Sequence, residues 1–213
     1  MQSLFKNLYQ FSAYIPPMDF TIHQYLLAAE PSILFAAGTS AQAEAALPRI
    51  KEILQGRELK YIFVSHIESD ECGGISVFQK AYPELQVICS NFGARELPGY
   101  GYTGKLLPVS AEKQIKDGDL DLQFFDYPSE AHLQNGLVCF ERKSGIFYSS
   151  DLMLRFGNGA NRLISGKWKD EVAAVGLDRI PSAAALEKLK ADLITVKPSF
   201  IAVGHGFCVA CEE

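Results

Sequence analysis

The sequence predicts an α/β protein in which mixed β-sheets are covered by helices. Short apolar segments typical of buried strands precede, alternate with and follow segments that have the spacing of amphipathic helices. The chain has 213 residues and contains no internal repeat, low-complexity stretch or Pro/Ser-rich linker. We therefore expect residues 1–213 to form a single domain that folds without disulfides.

The first elements are a hairpin and a helix. Thr21–Ala29 and Ser32–Ala37 are apolar segments joined by a Glu-Pro pair, a pattern that predicts two paired strands. Ala41–Leu54 has apolar residues at helical spacing. Pro48 lies within this segment, so the sequence leaves open whether the helix is kinked there or split in two.

A strand, a helix and a second strand come next. Lys60–Ser65 and Leu85–Cys89 are short, continuous apolar runs of the kind found in strands buried on both faces. Gly74–Tyr82, which lies between them, is predicted to be helical. The chain therefore alternates between strand and helix in this region.

Three further strands are predicted in the second half of the chain. They are Leu120–Tyr127, Leu137–Arg142 and Gly145–Ser150. The short polar connection Lys143-Ser144 predicts that the last two form a hairpin.

The last two elements are a helix and a strand. Ser182–Lys197 is amphipathic, and Ser182 is a suitable N-cap. Four apolar residues share one face of this helix: Leu186, Leu189, Leu193 and Val196. Phe200–Val203 is a final buried strand.

Composition excludes several classes of protein. The formal net charge is −5 and no cluster of Lys and Arg occurs, which argues against nucleic acid and anionic membranes as partners. No apolar run is long enough to span a bilayer, and the first residues do not resemble a signal peptide. Five cysteines is an odd number, and Cys72, Cys89 and Cys139 lie in apolar segments typical of buried free thiols. We expect a cytoplasmic protein.

The most informative segment is Ser65–Gly74, which begins at the end of the predicted strand Lys60–Ser65. His66, Glu68 and Asp70 alternate along it, and in an extended chain this spacing directs all three side chains to one side. Polar groups that converge at a buried strand end need partners or a cation. A second interpretation stays open, in which Asp70 caps the next helix while His66 and Glu68 are solvated.

Three more candidate ligands follow other predicted strands. His132 and Asp151 each come after one of the strands in the second half of the chain, and His205 follows the final strand between two glycines. The carboxyl ends of strands are where sites form in such sheets. The histidines and acids together therefore predict one site.

This pattern resembles the metallo-β-lactamase superfamily and, within it, the diiron domain of the flavodiiron proteins. The superfamily motif is His-x-His-x-Asp-His followed by a distant His, an Asp and a last His, and the flavodiiron branch has Glu at the second position, as Glu68 is here. The resemblance covers essentially the whole chain and implies a four-layer αββα sandwich. It also implies six metal ligands: His66, Glu68 and His132 for one metal, Asp70 and His205 for the other, and Asp151 as the bridge.

Glu71 is the one departure from the pattern, because the superfamily often has His at this position. One expectation is that Glu71 binds the second metal as a further ligand. Another is that it turns away, leaving water at that position. If it turned outward into solvent, it would lie near a helix start, where a carboxylate is favourable.

The candidate ligands favour iron. Glu68, Asp70, Glu71 and Asp151 carry four negative charges, which two divalent cations would balance. An oxygen-rich shell with three imidazoles suits iron or manganese better than zinc, although zinc binds strongly to almost any such site. We expect two non-haem iron ions, with zinc or manganese as alternative metals.

The resemblance implies a diiron protein that binds and reduces O₂ or NO. Flavodiiron proteins carry a flavodoxin domain after the diiron domain, whereas few residues follow His205 here, so we expect no FMN and a separate electron-donor protein. Two ferrous ions store two electrons and the reduction of O₂ to water takes four, so an oxygen-binding or sensing protein without efficient turnover is a second hypothesis. A third is a metal-dependent hydrolase, against which Glu68 argues. A homodimer is one assembly that the sequence leaves open.

Three weaker features have alternative explanations. Gly99–Gly104 matches Gly-x-Gly-x-x-Gly but follows no predicted strand, so we do not expect a dinucleotide site. His23 lies in a predicted strand and is expected to be structural. Cys208 and Cys211 are either poorly ordered terminal residues or a redox dithiol close to the metal at His205.

Overall fold

Two β-sheets pack face to face in the computed structural model, which describes residues 2–128 and 136–212. Within these ranges the first sheet has six strands: β1 (Leu8–Ile15), β2 (Phe20–Leu27), β3 (Ser32–Phe35), β4 (Leu59–Phe63), β5 (Gln86–Ser90) and β6 (Lys105–Val109). The second sheet has seven: β7 (Gln114–Asp117), β8 (Leu120–Tyr127), β9 (Gly136–Glu141), β10 (Ile146–Ser150), β11 (Leu163–Lys167), β12 (Phe200–Val203) and β13 (Cys208–Glu212). The described α-helices are α1 (Ser40–Leu54), α2 (Ser69–Cys72), α3 (Ile75–Ala81), α4 (Asn91–Glu96), α5 (Trp168–Ala174) and α6 (Ala183–Leu193).

Both sheets are mixed. The first follows chain order, with antiparallel pairing from β1 to β3 and parallel pairing from β3 to β6. The second has the order β11-β13-β12-β10-β9-β8-β7, and its central pair, β10 and β12, is parallel. The carboxyl ends of β4, β10 and β12 carry the candidate ligands His66, Asp151 and His205.

The central strands of the second sheet, β9, β10 and β12, are buried on both faces. On β10, Tyr148 points toward the first sheet, where its ring contacts those of Phe35 and Phe63. Its neighbour Phe147 points the other way and meets Trp168 of α5 edge to face. Successive side chains of a strand point to opposite faces, so an unbroken apolar run here fills two interfaces.

Helices cover the outer faces of both sheets. The outer face of the first sheet packs against α1 and α3 through an apolar cluster that includes Ile50, Ile62 and Phe78. Helices α5 and α6 contribute Trp168 and Leu189 to the cluster around the second sheet. The layers are therefore helix, sheet, sheet and helix, which confirms the predicted αββα fold.

Side-chain caps mark the start of three of the described helices, α1, α4 and α6. Helix α1 is a single helix with Pro48 inside it, so it is not split in two; it begins at a capping box between Thr39 and Gln42. Ser182 caps α6 through the amide of Ala185, as expected. The prediction that this helix reaches Lys197 was wrong, because it ends at Leu193, before a proline at 198 that disfavours helical backbone in the preceding residue.

Several strands were not predicted. β1, β6, β7, β11 and β13 were absent from the interpretation of the sequence. The expectation of a poorly ordered C-terminus was wrong, because β13 lies between β11 and β12 and Cys208 is fully buried there. Pairing partners on both sides, which are distant in sequence, give this strand its order.

The length and apolarity of the described helices bear on whether they could cross a membrane. None of the helices within residues 2–128 and 136–212 combines the length and apolarity that crossing a bilayer requires.

Candidate metal centre

The predicted ligands converge at one edge of the two sheets. His66 and Asp70 belong to the segment after β4, Asp151 follows β10, and His205 follows β12. An isolated bridge between Ile22 of β2 and His205 ties the last ligand segment to the first sheet. His132 lies outside the described residues, so its role stays a prediction.

Asp151 lies between two histidines. Its Oδ2 is 3.5 Å from Nε2 of His66, and its Oδ1 is 3.0 Å from Nε2 of His205. The two carboxylate oxygens therefore face different imidazoles. This is the position that a bridging ligand would need.

Two further carboxylates complete the arrangement. Glu68 Oε2 lies 3.6 Å from His66 Nε2, and Asp70 Oδ2 lies 3.4 Å from His205 Nε2. One ligand atom each from His66, Glu68 and Asp151 lies within 4.8 Å of the others, a spacing suited to holding one metal ion. Asp70 and His205 form a second group on the other side of Asp151.

Hydrogen bonds on the far side of His205 fix its orientation. Its Nδ1–H donates to the carbonyl of Thr21 at 2.9 Å, and its ring stacks on Phe20 with centroids 4.1 Å apart. When the ring is neutral, the lone pair of Nε2 is therefore turned toward Asp70 and Asp151. A carbonyl that orients the second nitrogen in this way is typical of metal-binding histidines.

An unpartnered oxygen indicates that a cation belongs in this site. Among the described residues, Asp151 Oδ1 is buried and has no hydrogen-bond donor when His205 is neutral, because two lone pairs then face each other. Only a proton or a metal ion between Oδ1 and Nε2 removes this repulsion. The donor set of imidazoles and carboxylates therefore fits divalent metal ions.

The protonation equilibria of the histidines agree with this need for positive charge. Burial lowers the pKa of His66, but the hydrogen bond with Glu68 and the charges of Glu71 and Asp151 outweigh it and raise the pKa to about 9. Burial also lowers the pKa of His205, and Asp151 and Asp70 more than reverse this effect. Both pKa shifts favour positively charged rings in the metal-free site, and metal binding would compete with these protons.

Backbone strain occurs next to the central ligand. Ser150 has φ 47° and ψ −130°, a conformation that residues with a Cβ rarely adopt. Such strain costs about 1–3 kcal/mol and is concentrated at functional sites. Here it turns the chain at the end of β10, immediately before Asp151.

Glu71 turns away from the second metal position, as one of the two expectations had it, but it turns into the protein interior and not into solvent. It is only 3% exposed, and both of its oxygens accept hydrogen bonds: Oε1 from Tyr148 and Ser150, and Oε2 from the amide of Ser65. The carboxylate therefore points neither to the second metal position as a ligand nor outward into solvent. No local pattern predicts this orientation, because two of the three donors, Tyr148 and Ser150, lie 77 and 79 positions away in the chain.

His23 is a structural residue, as expected. Its ring lies between the hydroxyl of Ser12 and the carbonyl of Gly206, each at 2.7 Å. Burial lowers its pKa to about 4, so the ring is neutral and can donate to one partner and accept from the other. The contact between His23 and the Gly206 carbonyl holds the segment that carries His205.

The glycine-rich loop does not have the surroundings of a nucleotide site. Gly99–Gly104 begins within a short 3-10 helix, Leu97–Tyr100, and leads into β6, whereas a phosphate-binding loop lies between a strand and a helix. Tyr102 is buried in the apolar cluster under the helices of the first sheet. The prediction against dinucleotide binding agrees with this arrangement.

Cys208 and Cys211 are both free thiols on β13. Residues three positions apart on a strand point to opposite faces, and their Cα atoms are roughly 10 Å apart, beyond the reach of a disulfide. Burial raises the pKa of each thiol to about 11. The structure therefore argues against the redox dithiol proposed from the sequence.

We expect Cys208 to be unreactive toward iodoacetamide in the native protein and to react only after unfolding. It is fully buried and lies 3.0 Å from the hydroxyl of Tyr25. Peptide mass spectrometry after labelling with and without urea measures this, with the half-buried Cys72 as the internal comparison. Rapid native labelling of Cys208, or an intrachain disulfide with Cys211, would contradict the assignment.

Comparisons with known proteins agree with the fold. The family model described as "ODP family beta lactamase" matches residues 20–206. A curated diflavin flavoprotein from Nostoc sp. strain PCC 7120 is 23% identical over 138 residues, which is 62% of this chain. The flavodiiron protein from Giardia intestinalis matches with a TM-score of 0.77 at 17% identity over 97% of this chain. Rubredoxin oxygen:oxidoreductase from Desulfovibrio gigas matches with a TM-score of 0.81 at 17% identity over 99% of this chain.

These relatives are longer than this chain. The match spans 23% of the Nostoc protein, 54% of the Giardia protein and 57% of the Desulfovibrio protein. The structural matches are below 25% identity and show a shared fold. The resemblance to flavodiiron cores inferred from the sequence is thereby confirmed.

Proposed function

Because this chain belongs to the family described as ODP family beta lactamase, we propose that it is a non-haem diiron protein that reduces O₂ or NO with electrons from a separate donor protein. The observation that carries this proposal is the placement of Asp151 between His66 and His205, with one carboxylate oxygen toward each. His66, Glu68, His132 and Asp151 would hold one iron, and Asp70, His205 and Asp151 the other. Ferrous ions held there would supply the electrons for reducing the diatomic molecule.

The protein's own residues prepare the site in three ways. The Thr21 carbonyl holds His205 in one tautomer, and Phe20 covers one face of its ring. Glu68 is 47% exposed and leaves the site accessible from solvent on its side. We propose that a small molecule enters from the Glu68 side, because Asp70 and Asp151 are less exposed, at 18% and 22%.

Glu68 supports an oxidoreductase over a hydrolase. An oxygen donor replaces the imidazole found at this position in the usual superfamily motif, and oxygen-rich shells favour iron or manganese. Residues 1–213 are proposed to act as a single domain, since both sheets contribute ligands to the same site. The cytoplasmic location stays a prediction.

Rapid mixing of the anaerobic, Fe²⁺-loaded protein with O₂ or NO tests the proposal. We expect elemental analysis to find two iron ions per chain. We also expect the absorbance to show that the iron is oxidised within seconds of mixing. With a chemical reductant present, O₂ consumption should continue beyond one equivalent and exceed the consumption by the same reductant with the metal-free protein. Oxidation without continued consumption would favour oxygen binding or sensing, and no oxidation together with fast phosphodiester hydrolysis would favour the hydrolase.

A Glu68→His variant provides the matched comparison. It restores the usual superfamily residue and makes the shell richer in nitrogen, which favours zinc. We expect the variant to retain more zinc in mixed-metal medium and to react more slowly with O₂ than the wild type. Equal iron retention and equal rates would show that Glu68 does not select the metal.

A further inference from the structure

Glu71 is buried beside the metal centre as a fully hydrogen-bonded carboxylate. The Tyr148 hydroxyl lies 2.6 Å and the Ser150 hydroxyl 2.8 Å from Oε1, and the Ser65 amide lies 3.2 Å from Oε2. All three groups donate, so the arrangement suits an ionised carboxylate, which accepts only. The main chain is also fixed, because the Ala37 amide donates to the Glu71 carbonyl at 2.7 Å.

The Ser150 hydroxyl leads from Glu71 to His66, and Ser65 contacts both, Glu71 through its amide and His66 through its hydroxyl. The Nδ1 atom of His66 is 3.5 Å from the Ser150 hydroxyl and 3.4 Å from the Ser65 hydroxyl, while its Nε2 faces Glu68 and Asp151. Ser150 donates its proton to Glu71, so its oxygen is free to accept from Nδ1–H of His66. This path fixes the imidazole tautomer that leaves Nε2 for a metal.

Ser150 also connects Glu71 to the central ligand. It precedes Asp151 in the chain, and its backbone has the strained φ of 47°. A hydrogen bond from its side chain to a rigid buried acceptor opposes relaxation of that strain. Glu71 thus contacts the one residue whose conformation determines where Asp151 points.

We propose that Glu71 is a positioning residue that holds His66 and Asp151 in metal-binding geometry through Ser150. The proposal rests on the metal-binding part of the proposed function. A carboxylate behind a metal-binding histidine orients the ring and raises its basicity, and loss of such a partner lowers metal affinity by about 10–100-fold. The position that often supplies a ligand histidine in the superfamily therefore supports the ligands here.

Titration of the metal-free protein with Co²⁺ tests this inference, because its ligand-field absorption reports both affinity and geometry. We expect Glu71→Gln to bind Co²⁺ about 10–100-fold more weakly, with an altered spectrum. Ser150→Gly should also weaken binding, although it relieves the backbone strain, because it removes the connecting hydroxyl. The fold-loss of Co²⁺ affinity in the double variant should be smaller than the product of the fold-losses in the two single variants, since both changes interrupt the same hydrogen-bond path.

Glu141→Gln is the matched control. Glu141 is also a buried glutamate, 1% exposed, and accepts hydrogen bonds from the amides of Asp121, Lys143 and Ser144. It pairs with Ile146, at the end of β10 away from Ser150. We expect this variant to be destabilised in urea while binding Co²⁺ with the affinity and spectrum of the wild type.

Three results would overturn the inference. Glu71→Gln could bind Co²⁺ like the wild type, or Glu141→Gln could weaken binding as much as Glu71→Gln. If Glu71→Gln does not fold, the variants Ser150→Gly and Tyr148→Phe take its place. The inference is overturned if both of them bind Co²⁺ as tightly as the wild type does. A wild-type protein that binds no Co²⁺ would overturn the metal site itself, whereas failure to react with O₂ would overturn only the proposed reaction.

Discussion

Asp151→Ala is expected to abolish binding of both metal ions. The two oxygens of Asp151 face His66 and His205 separately, so under the proposed assignment the substitution removes a ligand from each metal position. We expect an affinity loss greater than the about 10–100-fold that follows loss of an outer hydrogen-bond partner. Elemental analysis after reconstitution with Fe²⁺ and gel filtration measures the remaining metal.

Asp170→Ala is a suitable control, because Asp170 is an exposed carboxylate on α5. It should retain the full metal content, which separates loss of the bridge from loss of charge. If Asp151→Ala retained two iron ions per chain, Asp151 would not be the bridge. Retention of one iron would show that its two oxygens serve the same metal.

Gly206→Ala is expected to lower the free energy of unfolding by about 2–5 kcal/mol. Gly206 has φ +84°, and a Cβ at this position would lie 2.3 Å from the carbonyl oxygen of Arg155. A left-handed conformation costs a residue with a side chain about 1–2 kcal/mol, and forced overpacking adds about 1–3 kcal/mol. Since His205 is the preceding residue, metal binding should weaken as well. Urea unfolding and metal analysis measure the two effects.

Gly99→Ala is the control for this substitution. Gly99 is exposed, and a Cβ there would meet nothing within 4 Å. We expect its stability to change by less than about 0.5 kcal/mol. Equal effects of the two substitutions would mean that the close approach to Arg155 does not constrain the loop.

The sequence predicted the ligands better than it predicted their surroundings. The alternating spacing of His66, Glu68 and Asp70 occurs within one short segment. Asp151 and His205 each follow an apolar segment that predicts a strand. Thr21, Phe20 and Ser150, which orient or cover these ligands, were not predicted. They have no local pattern, because each contacts a ligand that lies far away in sequence.

The strands also divide into those that local sequence predicted and those that depend on distant partners. Phe200–Val203 was predicted with its observed bounds because it is short, continuous and apolar. Strand β13 was missed because its order depends on pairing with β11 and β12 on either side. Edge strands such as β7, with polar residues at alternate positions, likewise give a weak apolar signal.

The sequence by itself determined the layered α/β architecture, the buried central strands and the placement of acids and histidines at strand ends. These properties follow from local hydrophobic periodicity and from spacing, which are contained in short segments. Only the tertiary structure decided that Glu71 turns inward and that Cys208 and Cys211 lie on opposite faces of a strand. A side chain between two sheets takes its direction from partners that folding brings to it, and for Glu71 those partners are Tyr148 and Ser150 on β10.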